Sequence, residues 1–409
     1  LSPEVKIGWI DEHTFEVQEL SGLAWPIVYR ITTATGYYAN ETGQRMYFTP
    51  AMEGLSTARR VSDVVMRLGV FLAIIAGLGT RQASWLMNVL FQVSVSKSAI
   101  DRWIDEVADA LPSADDMIRL LNQLNPITEG HFDELFPLGT PACVLVFKDE
   151  HGRIIAQQAV DKRDEEHVTP FLVRLKGLGL AVKTFYIDHW EAYANAIRAV
   201  YQEANIQYDY FHILQNIWRK VWKVFRGYRN DLKERSETVQ TRWYANKLKT
   251  LAAKLWKHRY LFFKSDQHLS EPERATMQDV LNTQSKMSFL RGFLTKVWAI
   301  FEDTTTEADA QTKLAELKAY AIGQENNGYH KSIAFLETNF KDMTTFLRVP
   351  GVKRNSLAET GMRVLRRLER NHDGFRSDKG RQNALKIYQA VTYLGWSIHN
   401  PPNLAVSAC

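Results

Sequence analysis

The order of strand-like and helix-like patterns between residues 127 and 212 constrains the fold of this chain most strongly. Runs rich in β-branched and aromatic residues predict strands, and apolar residues at helical spacing predict helices. Three strands that can pair as hairpins come first; a helix, a strand, a helix and a last strand follow. Strand–helix–strand crossovers build parallel pairs, so this order predicts an α/β fold with a mixed five-stranded sheet and flanking helices. The predicted strands are 127–135, 142–148, 153–160, 181–187 and 207–211, and the predicted helices are 165–176 and 191–201.

The rest of the chain adds a β-rich start and two helical regions. Strand-like runs at 5–10, 14–17, 27–33 and 36–38 predict a small β-rich module. Two late helices, 356–370 and 382–396, are expected to rejoin the sheet, which makes the helical residues before them an all-α insertion. The predicted domains are 1–54, 55–125, 126–212 together with 352–398, and 213–351. Breaks within the insertion are expected near Gly227, 270–272, Ser288, 304–306 and 324–328.

Residues 55–111 predict three helices. Ser56 is expected to cap a helix that runs through Ile75, and the glycines that follow break it. Residues 80–91 form the second predicted helix, and Ser96 caps the third, 97–111. Two helices joined by a short turn, with Lys97 and Arg102 on the second, match a helix-turn-helix near 80–110, which binds DNA through its second helix. An ordinary helical hairpin explains the same pattern equally well.

The modest net charge of +5 conceals two strongly basic segments. Residues 216–264 carry 14 Lys or Arg against 3 Asp or Glu, and residues 348–386 carry 11 against 4. These 88 residues therefore hold +18, and the other 321 hold −13. The first segment also interleaves aromatic residues such as Trp218, Trp222 and Trp256, most of which are expected in the helical core. Basic side chains neutralise phosphates and exposed rings stack on unpaired bases, so the pattern favours a nucleic-acid partner.

Two aspartates are predicted to converge at one end of the sheet. Asp133 lies in the first predicted strand and Asp188 ends the fourth. In a mixed sheet of this order these strands can be neighbours, so both side chains can reach the crevice beyond their carboxyl ends. Successive strand residues face opposite sides, so only one of Asp133 and Glu134 can point into the site, and Asp133 is the favoured candidate. An unpaired carboxylate is costly to bury there but comfortable beside a cation.

Glu359 is the third candidate carboxylate. It precedes Arg363, Arg366 and Arg370 at spacings of four, three and four on one stripe of a predicted helix. Simple pairing along the helix explains this row, and so does a metal ligand followed by phosphate contacts. Three carboxylates suit two hard divalent cations, Mg²⁺ or Mn²⁺, which together drive in-line phosphoryl transfer without a nucleophilic side chain. No P-loop, Gly-x-Ser-x-Gly or His-Glu-x-x-His motif suggests another chemistry.

These residues resemble the RNase H-like catalytic domain of DDE transposases from bacterial and archaeal insertion sequences. Asp133, Asp188 and Glu359 match the places of that family's catalytic, metal-binding triad. Asp209-Tyr210-Phe211-His212 resembles the Asp-x-Phe-His element that follows the fifth strand in the ISL-type members. The run 354–359 (RNSLAE), followed by 374–377 (GFRS), resembles their C-terminal signature. The resemblance implies cleavage at transposon ends and strand transfer into target DNA, with two Mg²⁺ or Mn²⁺ ions.

The resemblance also implies partners and accessory residues. DNA, as terminal inverted repeats and as target, is the expected partner, bound by a homodimer or higher multimer that joins two ends. His189 can contact the cut strand or pack on the following helix, His212 can assist the site or fix a turn, and Asp209 is expected to be a structural neighbour. The predicted DNA contacts are Lys97, Arg102, Arg219, Lys220, Lys223, Arg226, Arg363, Arg366, Arg370 and Arg376.

Other classes are excluded or kept as rivals. Two cysteines exclude a disulfide framework and the Cys-rich zinc module that such transposases often carry, and they fit a reducing, cytoplasmic location at the nucleoid. The longest apolar run, 68–78, is too short to span a bilayer, so no membrane association is expected. The rival functions are an RNase H-like structure-specific nuclease without strand transfer, and an inert DNA-binding protein derived from a transposase.

Overall fold

The computed structural model describes residues 7–19, 27–39, 44–48, 61–137, 143–282, 285–354, 358–371, 375 and 377–397. Its first element is a small antiparallel sheet in the order β1-β2-β3, as the β-rich module predicts. The predicted runs are shorter than the observed strands, because each pair of runs joins into one long strand, with a bulge between Trp9 and Asp11 in the first. The run 40–43 (NETG) also predicts a turn, and it lies outside the described residues. The strands are β1 (Ile7–Glu19), β2 (Ile27–Ala39) and β3 (Arg45–Phe48).

Four helices follow. The first begins at Asp63, because the Ser62 hydroxyl accepts a hydrogen bond from the Val65 amide; the predicted cap Ser56 lies outside the described residues. Ser96 caps the third helix through the Ala99 amide, which confirms that prediction. The helices are α1 (Asp63–Ile74), α2 (Gly79–Leu90), α3 (Lys97–Ala110) and α4 (Ala114–Leu124).

The central sheet has the predicted mixed topology. Its strand order is β6-β5-β4-β7-β8; β4, β5 and β6 pair antiparallel, whereas β7 and β8 are parallel to β4. This confirms the RNase H-like arrangement. The strands are β4 (Glu129–Leu135), β5 (Cys143–Asp149), β6 (Ile154–Val160), β7 (Thr184–Ile187) and β8 (Asn205–Tyr208). The crossover helices are α5 (Glu165–Gly177) and α6 (Glu191–Val200).

The fifth strand is shorter than predicted, and a long helix begins where it ends. Residues Tyr210 and Phe211 were expected in the strand, but the Asp209 carboxylate accepts hydrogen bonds from the amides of Phe211 and His212 and starts a helix. That helix runs without interruption to Thr238, so the break predicted near Gly227 is wrong. A glycine costs about 1 kcal/mol inside a helix, which the rest of a 29-residue helix outweighs.

Every regular element in the described part of the insertion is a helix, and short turns connect the helices. Thr306 and Asn326 cap two of its helices where breaks were predicted. The helix predicted to break at Ser288 instead begins at Ser285. The helices are α7 (Tyr210–Thr238), α8 (Arg242–Lys257), α9 (Glu271–Asn282), α10 (Ser285–Glu302), α11 (Glu307–Tyr320), α12 (Asn327–Met343) and α13 (Thr345–Arg348), with short 3₁₀ turns at Arg259–Phe263 and Asp266–His268.

The last two helices return to the sheet, as predicted. They are α14 (Ala358–Asn371) and α15 (Asp378–Leu394), and Ser377 caps the second. Helices α5 and α6 cover one face of the sheet, whereas α14 and α15 cover the other. On the α14 face the buried cluster contains Leu135, Val144, Val146, Ile154, Met362, Leu365 and Leu385.

The glycine-containing turn between α1 and α2 is fitted against the end of α14. Gly79 has φ of +72°, and a Cβ added there would overlap the carbonyl oxygen of Asn371. The Asn371 side chain donates a hydrogen bond to the Gly77 carbonyl, and Arg367 donates one to the Ile75 carbonyl. The N-terminal helices are therefore attached to the helix that contains Glu359.

We expect Gly79→Ala to destabilise the protein more than Gly323→Ala. Both glycines have a left-handed backbone, with φ of +72° and +80°, where a Cβ costs about 1–2 kcal/mol. Nothing lies within 4 Å of a Cβ at Gly323, whereas the overlap with Asn371 should cost Gly79→Ala about another 1–3 kcal/mol. Urea unfolding of both variants measures the difference. Equal losses of unfolding free energy would show that α14 does not constrain this turn.

Candidate active site and nucleic-acid interface

The strand register brings three aspartates to one level of the sheet. Phe132 pairs with Ile187 and Ile187 pairs with Tyr208 across the parallel strands, so the next residues along β4, β7 and β8 are Asp133, Asp188 and Asp209. Asp188 and Asp209 directly follow β7 and β8, and Asp133 lies two residues before the carboxyl end of β4. The sequence predicts the convergence of Asp133 and Asp188 at this edge of the sheet. The offset of 55 residues between Asp133 and Asp188 equals the register offset of the two strands.

Asp133 and Glu134 point to opposite faces of the sheet. Asp133 pairs in register with Val146, which packs in the α14 cluster, so Asp133 lies on the face that α14 covers. Its Oδ1 accepts a 2.8 Å hydrogen bond from the Glu134 amide. Glu134 faces the other way, where it forms an ion pair with Arg163 and accepts a 2.6 Å hydrogen bond from the Tyr193 hydroxyl. Glu134 therefore has structural partners, whereas Asp133 faces α14, the helix that contains Glu359.

His212 contacts Asp188 directly. Its Nε2 lies 3.1 Å from Asp188 Oδ1, and the Asp209 cap fixes the backbone of the helical turn from which it projects. Asp209 is buried, and its amide donates a 2.9 Å hydrogen bond to the Ile187 carbonyl. Asp209 thus positions His212, and His212 holds Asp188 in place.

The carboxylate cluster has an excess of negative charge. The pKa of Asp188 is raised to about 8, first by burial and then by the charges of Asp133, Glu134 and Asp209, with Arg163 opposing them. At neutral pH the Asp188 carboxyl therefore favours its protonated form in the absence of a cation. Clustered carboxylate oxygens are the ligands that Mg²⁺ and Mn²⁺ prefer.

Arg163 is a site residue that the sequence analysis missed. It follows β6, forms an ion pair with Glu134 and lies over the Trp190 ring at 4.0 Å from the ring centre. The Trp190 indole in turn donates a 2.8 Å hydrogen bond to the Arg163 carbonyl. Within the mixed-charge run 161–166 (DKRDEE), no local pattern separates Arg163 from Lys162, so only the fold identifies it.

His189 points away from the aspartates. Its ring packs edge-on against Tyr208 and Phe335, and its Nε2 is 3.0 Å from the Asn339 side-chain oxygen. Burial lowers the pKa of His189. The described ring contacts of His189 are therefore packing contacts with β8 and α12.

Glu359 lies in the first turn of α14, and its side chain is outside the described part of the structure. Met362, about one turn further on, is buried against Leu135 and Val146, on the same face as Asp133. Among the described side chains, no three His, Cys, Asp or Glu residues are placed to hold a metal ion. Glu359 on α14 stays the predicted third carboxylate of this site.

The predicted basic residues of α7 do not share one environment. Arg219, Lys223 and Arg226 are exposed and line a groove, whereas Lys220 turns to α12, with its Nζ 4.3 Å from the centre of the Phe335 ring. Burial lowers the pKa of Lys220. The groove has a volume of about 760 Å³ and is lined by Gln215, Trp218, Arg219, Trp222, Lys223, Arg226, Tyr260 and Phe263.

The other predicted DNA contacts lie on two surfaces. Arg363, Arg366 and Arg370 are all exposed on α14. Lys97 and Arg102 are exposed on α3, and Lys97 borders a pocket shared with the start of α15. Arg376 lies outside the described residues. The connection 91–96 joins α2 and α3 as predicted, but no contact here separates a helix-turn-helix from a helical hairpin.

Comparison with known protein families identifies the class of this protein. Residues 141–380, more than half of the chain, match the family model for DDE transposases of the ISL3 type, which is described as a transposase. The chain therefore belongs to the DDE transposase family, as the sequence resemblance predicts.

No curated protein matches the chain. Among solved structures, the Drosophila P element transposase strand transfer complex is similar with a TM-score of 0.38 and 11% identity, over 86% of this chain and 94% of that one. None of the helices in the described residues has the length and apolar character to cross a membrane.

Replacing Asp188 with Asn should stabilise the metal-free protein increasingly as the pH rises. The folded state holds the pKa of Asp188 at about 8 against an ordinary 3.8, so it binds this proton more tightly than the unfolded chain does. Stability from this group is present at low pH and is lost between about pH 4 and 8. Asp188→Asn removes that loss. Melting temperatures in EDTA from about pH 5 to pH 8.5 measure the effect.

A control for this comparison is Glu203→Gln. Glu203 is exposed and precedes β8, at the opposite end of the sheet. The melting temperature of Glu203→Gln should differ from that of the wild type by the same amount at every pH. A difference between Asp188→Asn and wild type that does not change with pH would contradict the charge excess inferred for the aspartate cluster.

Proposed function

We propose that this transposase cuts DNA at the ends of a mobile element and joins the freed 3′ ends to target DNA. The observation that supports this proposal most is the placement of Asp133 and Asp188 side by side at the carboxyl ends of parallel strands. Membership of the DDE transposase family supports the same chemistry.

The proposed metal ligands are Asp133, Asp188 and Glu359. The residues present fit a divalent cation, since the donors are carboxylate oxygens and since burial, and then the neighbouring carboxylates, raise the pKa of Asp188. Two Mg²⁺ or Mn²⁺ ions held there would activate the attacking oxygen and stabilise the leaving oxygen of the phosphodiester. The position of Glu359 on the helix over this face supports its inclusion.

The surrounding residues orient the ligands and bind DNA. His212 fixes the Asp188 carboxyl through its Nε2, and Asp209 fixes His212. Arg163, held by Glu134 and Trp190, offers a cation for a phosphate at the rim of the site. Arg219, Lys223, Arg226 and the three arginines of α14 contact phosphates further along the DNA, and α3 supplies Lys97 and Arg102. A dimer or larger multimer is expected, because strand transfer joins two ends.

Asp133→Asn, Asp188→Asn and Glu359→Gln should each reduce cleavage and joining by at least about 100-fold, because each removes a charge that holds the cations. DNA binding should be retained. The substrate is a plasmid carrying the DNA that flanks the coding sequence, incubated with Mg²⁺ or Mn²⁺, and a second reaction supplies pre-cleaved ends and a supercoiled target. Glu203→Gln is the matched control and should keep full activity.

The two reactions separate the proposal from its rivals. A nuclease without strand transfer would cut the plasmid but yield no joined product from pre-cleaved ends. An inert DNA-binding protein would retain the ends in a gel and release no cut product with either cation. Unchanged activity of Asp188→Asn would refute the assignment of the site itself.

The arginines of α14 should contribute to the salt dependence of DNA binding. Removing one phosphate contact reduces the slope of log K against log salt by about 0.9. Arg363→Gln, Arg366→Gln and Arg370→Gln should each lower the slope by about that amount, measured by fluorescence anisotropy. Lys318→Gln on α11, whose ammonium is 2.7 Å from Glu337, should leave it unchanged. Identical slopes for all four variants would place the DNA elsewhere.

A further inference from the structure

A series of aromatic rings runs along α7 from the candidate active site. Phe211 lies next to His212, with ring centres 5.5 Å apart, and is 6.5 Å from Trp218. Trp218 and Trp222 both contact Phe263, at 6.3 and 5.3 Å. The helix that contains the Asp188 partner thus leads directly to the groove.

The groove combines aromatic walls with cations on its rim. Trp218, Trp222 and Phe263 are half-buried, and Tyr260 is 68% exposed. Arg219, Lys223 and Arg226 follow one another at spacings of four and three, so they share one side of the helix. Four rings around an open groove form an apolar surface that a flat, aromatic ligand can cover.

The rim cations have no acidic partner in the described part of the chain. Arg219 donates to the Gln215 side chain at 2.9 Å, and none of Arg219, Lys223 and Arg226 forms an ion pair with a described carboxylate. Other basic residues of the same segment do, since Lys254 pairs with Asp279 and Lys264 with Glu273. The positive charge is therefore left exposed where the rings are, which favours a ligand that is both aromatic and anionic.

An unpaired nucleotide has both properties. Inside a duplex both faces of a base are stacked on its neighbours, so away from a duplex end only an unpaired base can lie against Trp218 and Trp222. An α-helix rises about 1.5 Å per residue, which puts these rings about 9 and 15 Å along the axis from His212. At about 3.4 Å per nucleotide in one strand, that is about three to four nucleotides from the site.

We propose that this groove binds an unpaired base of the DNA, about three to four nucleotides from the phosphate that is cut. Arg219, Lys223 and Arg226 contact the phosphates on either side of that base. The proposal rests on the proposed function only for its distance from the cut; the preference for an unpaired base follows from the groove alone. DNA ends whose strands are separated near the cut therefore bind more tightly than fully paired ends.

The test compares paired and unpaired DNA ends on the full-length protein. Two oligonucleotides of the flanking DNA are used, one fully paired and one mismatched over the first six positions, with 2-aminopurine placed at each of the six in turn. Affinity is measured by anisotropy and stacking by loss of 2-aminopurine fluorescence, in Ca²⁺ so that the DNA stays intact. The variants are Tyr260→Ala, whose ring is largely exposed, and Trp218→Leu.

Trp243→Ala is the matched control, since Trp243 is 70% exposed in the same basic segment but does not line the groove. The wild type should prefer the unpaired end by about fivefold or more, the low end of what one stacked base contributes. Fluorescence should be quenched at one or two neighbouring positions. Tyr260→Ala and Trp218→Leu should reduce the preference and the quenching, and Trp243→Ala should reduce neither.

Three results would overturn the proposal. Equal affinity of the wild type for both ends would do so, as would quenching spread evenly over all six positions. So would loss of self-association in Trp218→Leu with its DNA preference intact, because the groove would then bind a second copy. Cleavage by the wild type, and its loss in Asp188→Asn, are measured separately. Either the proposed function or the groove proposal can therefore be refuted while the other is supported.

Discussion

The parallel register of β4 and β7 is the constraint on which this site depends. It sets Asp133 beside Asp188, and backbone hydrogen bonds prevent the two strands from moving apart. Burial, and then the repulsion from neighbouring carboxylates, raise the pKa of Asp188 to about 8. The described neighbours offset this effect only in part, since His212 contacts Asp188 while Arg163 is paired with Glu134. A bound divalent cation would supply the positive charge that the clustered carboxylates need. The strand register therefore produces the cation site that the proposed chemistry requires.

The sheet and its aspartate pair could be predicted from the sequence because both follow from strong, regular signals. Strand runs such as 142–148 are almost wholly apolar, and strand–helix–strand crossovers leave few topologies. Predictions failed where a local contact outweighed a pattern. Tyr210 and Phe211 have strand propensity, but Asp209 caps a helix in front of them. Gly227 suggests a break in the helix, but α7 continues through it from Tyr210 to Thr238.

The remaining site contacts depend on the fold and have no local signal. Arg163 acts near Asp188 only because β6 ends beside the Trp190 loop. Strand alternation places Asp133 and Glu134 on opposite faces of the sheet. It does not say which face α14 and α15 cover, and that decides which of the two faces the candidate site. Lys220 belongs to the basic row of α7 by spacing, yet it packs on Phe335 of α12 instead of lining the groove.

The different positions of Lys220 and of the groove residues show how the insertion supports α7. Helix α12 packs so closely on one side that a Cβ at Gly328 would overlap Val224, and Lys220 lies on the same side. The side with Trp218, Trp222 and the rim cations is left open. Because one continuous helix contains both His212 and these rings, their distance from Asp188 is set by the helical rise and not by a flexible link. A DNA strand bound along α7 would therefore reach the aspartates at a fixed number of nucleotides from the groove. Cutting at a defined position requires such a fixed distance.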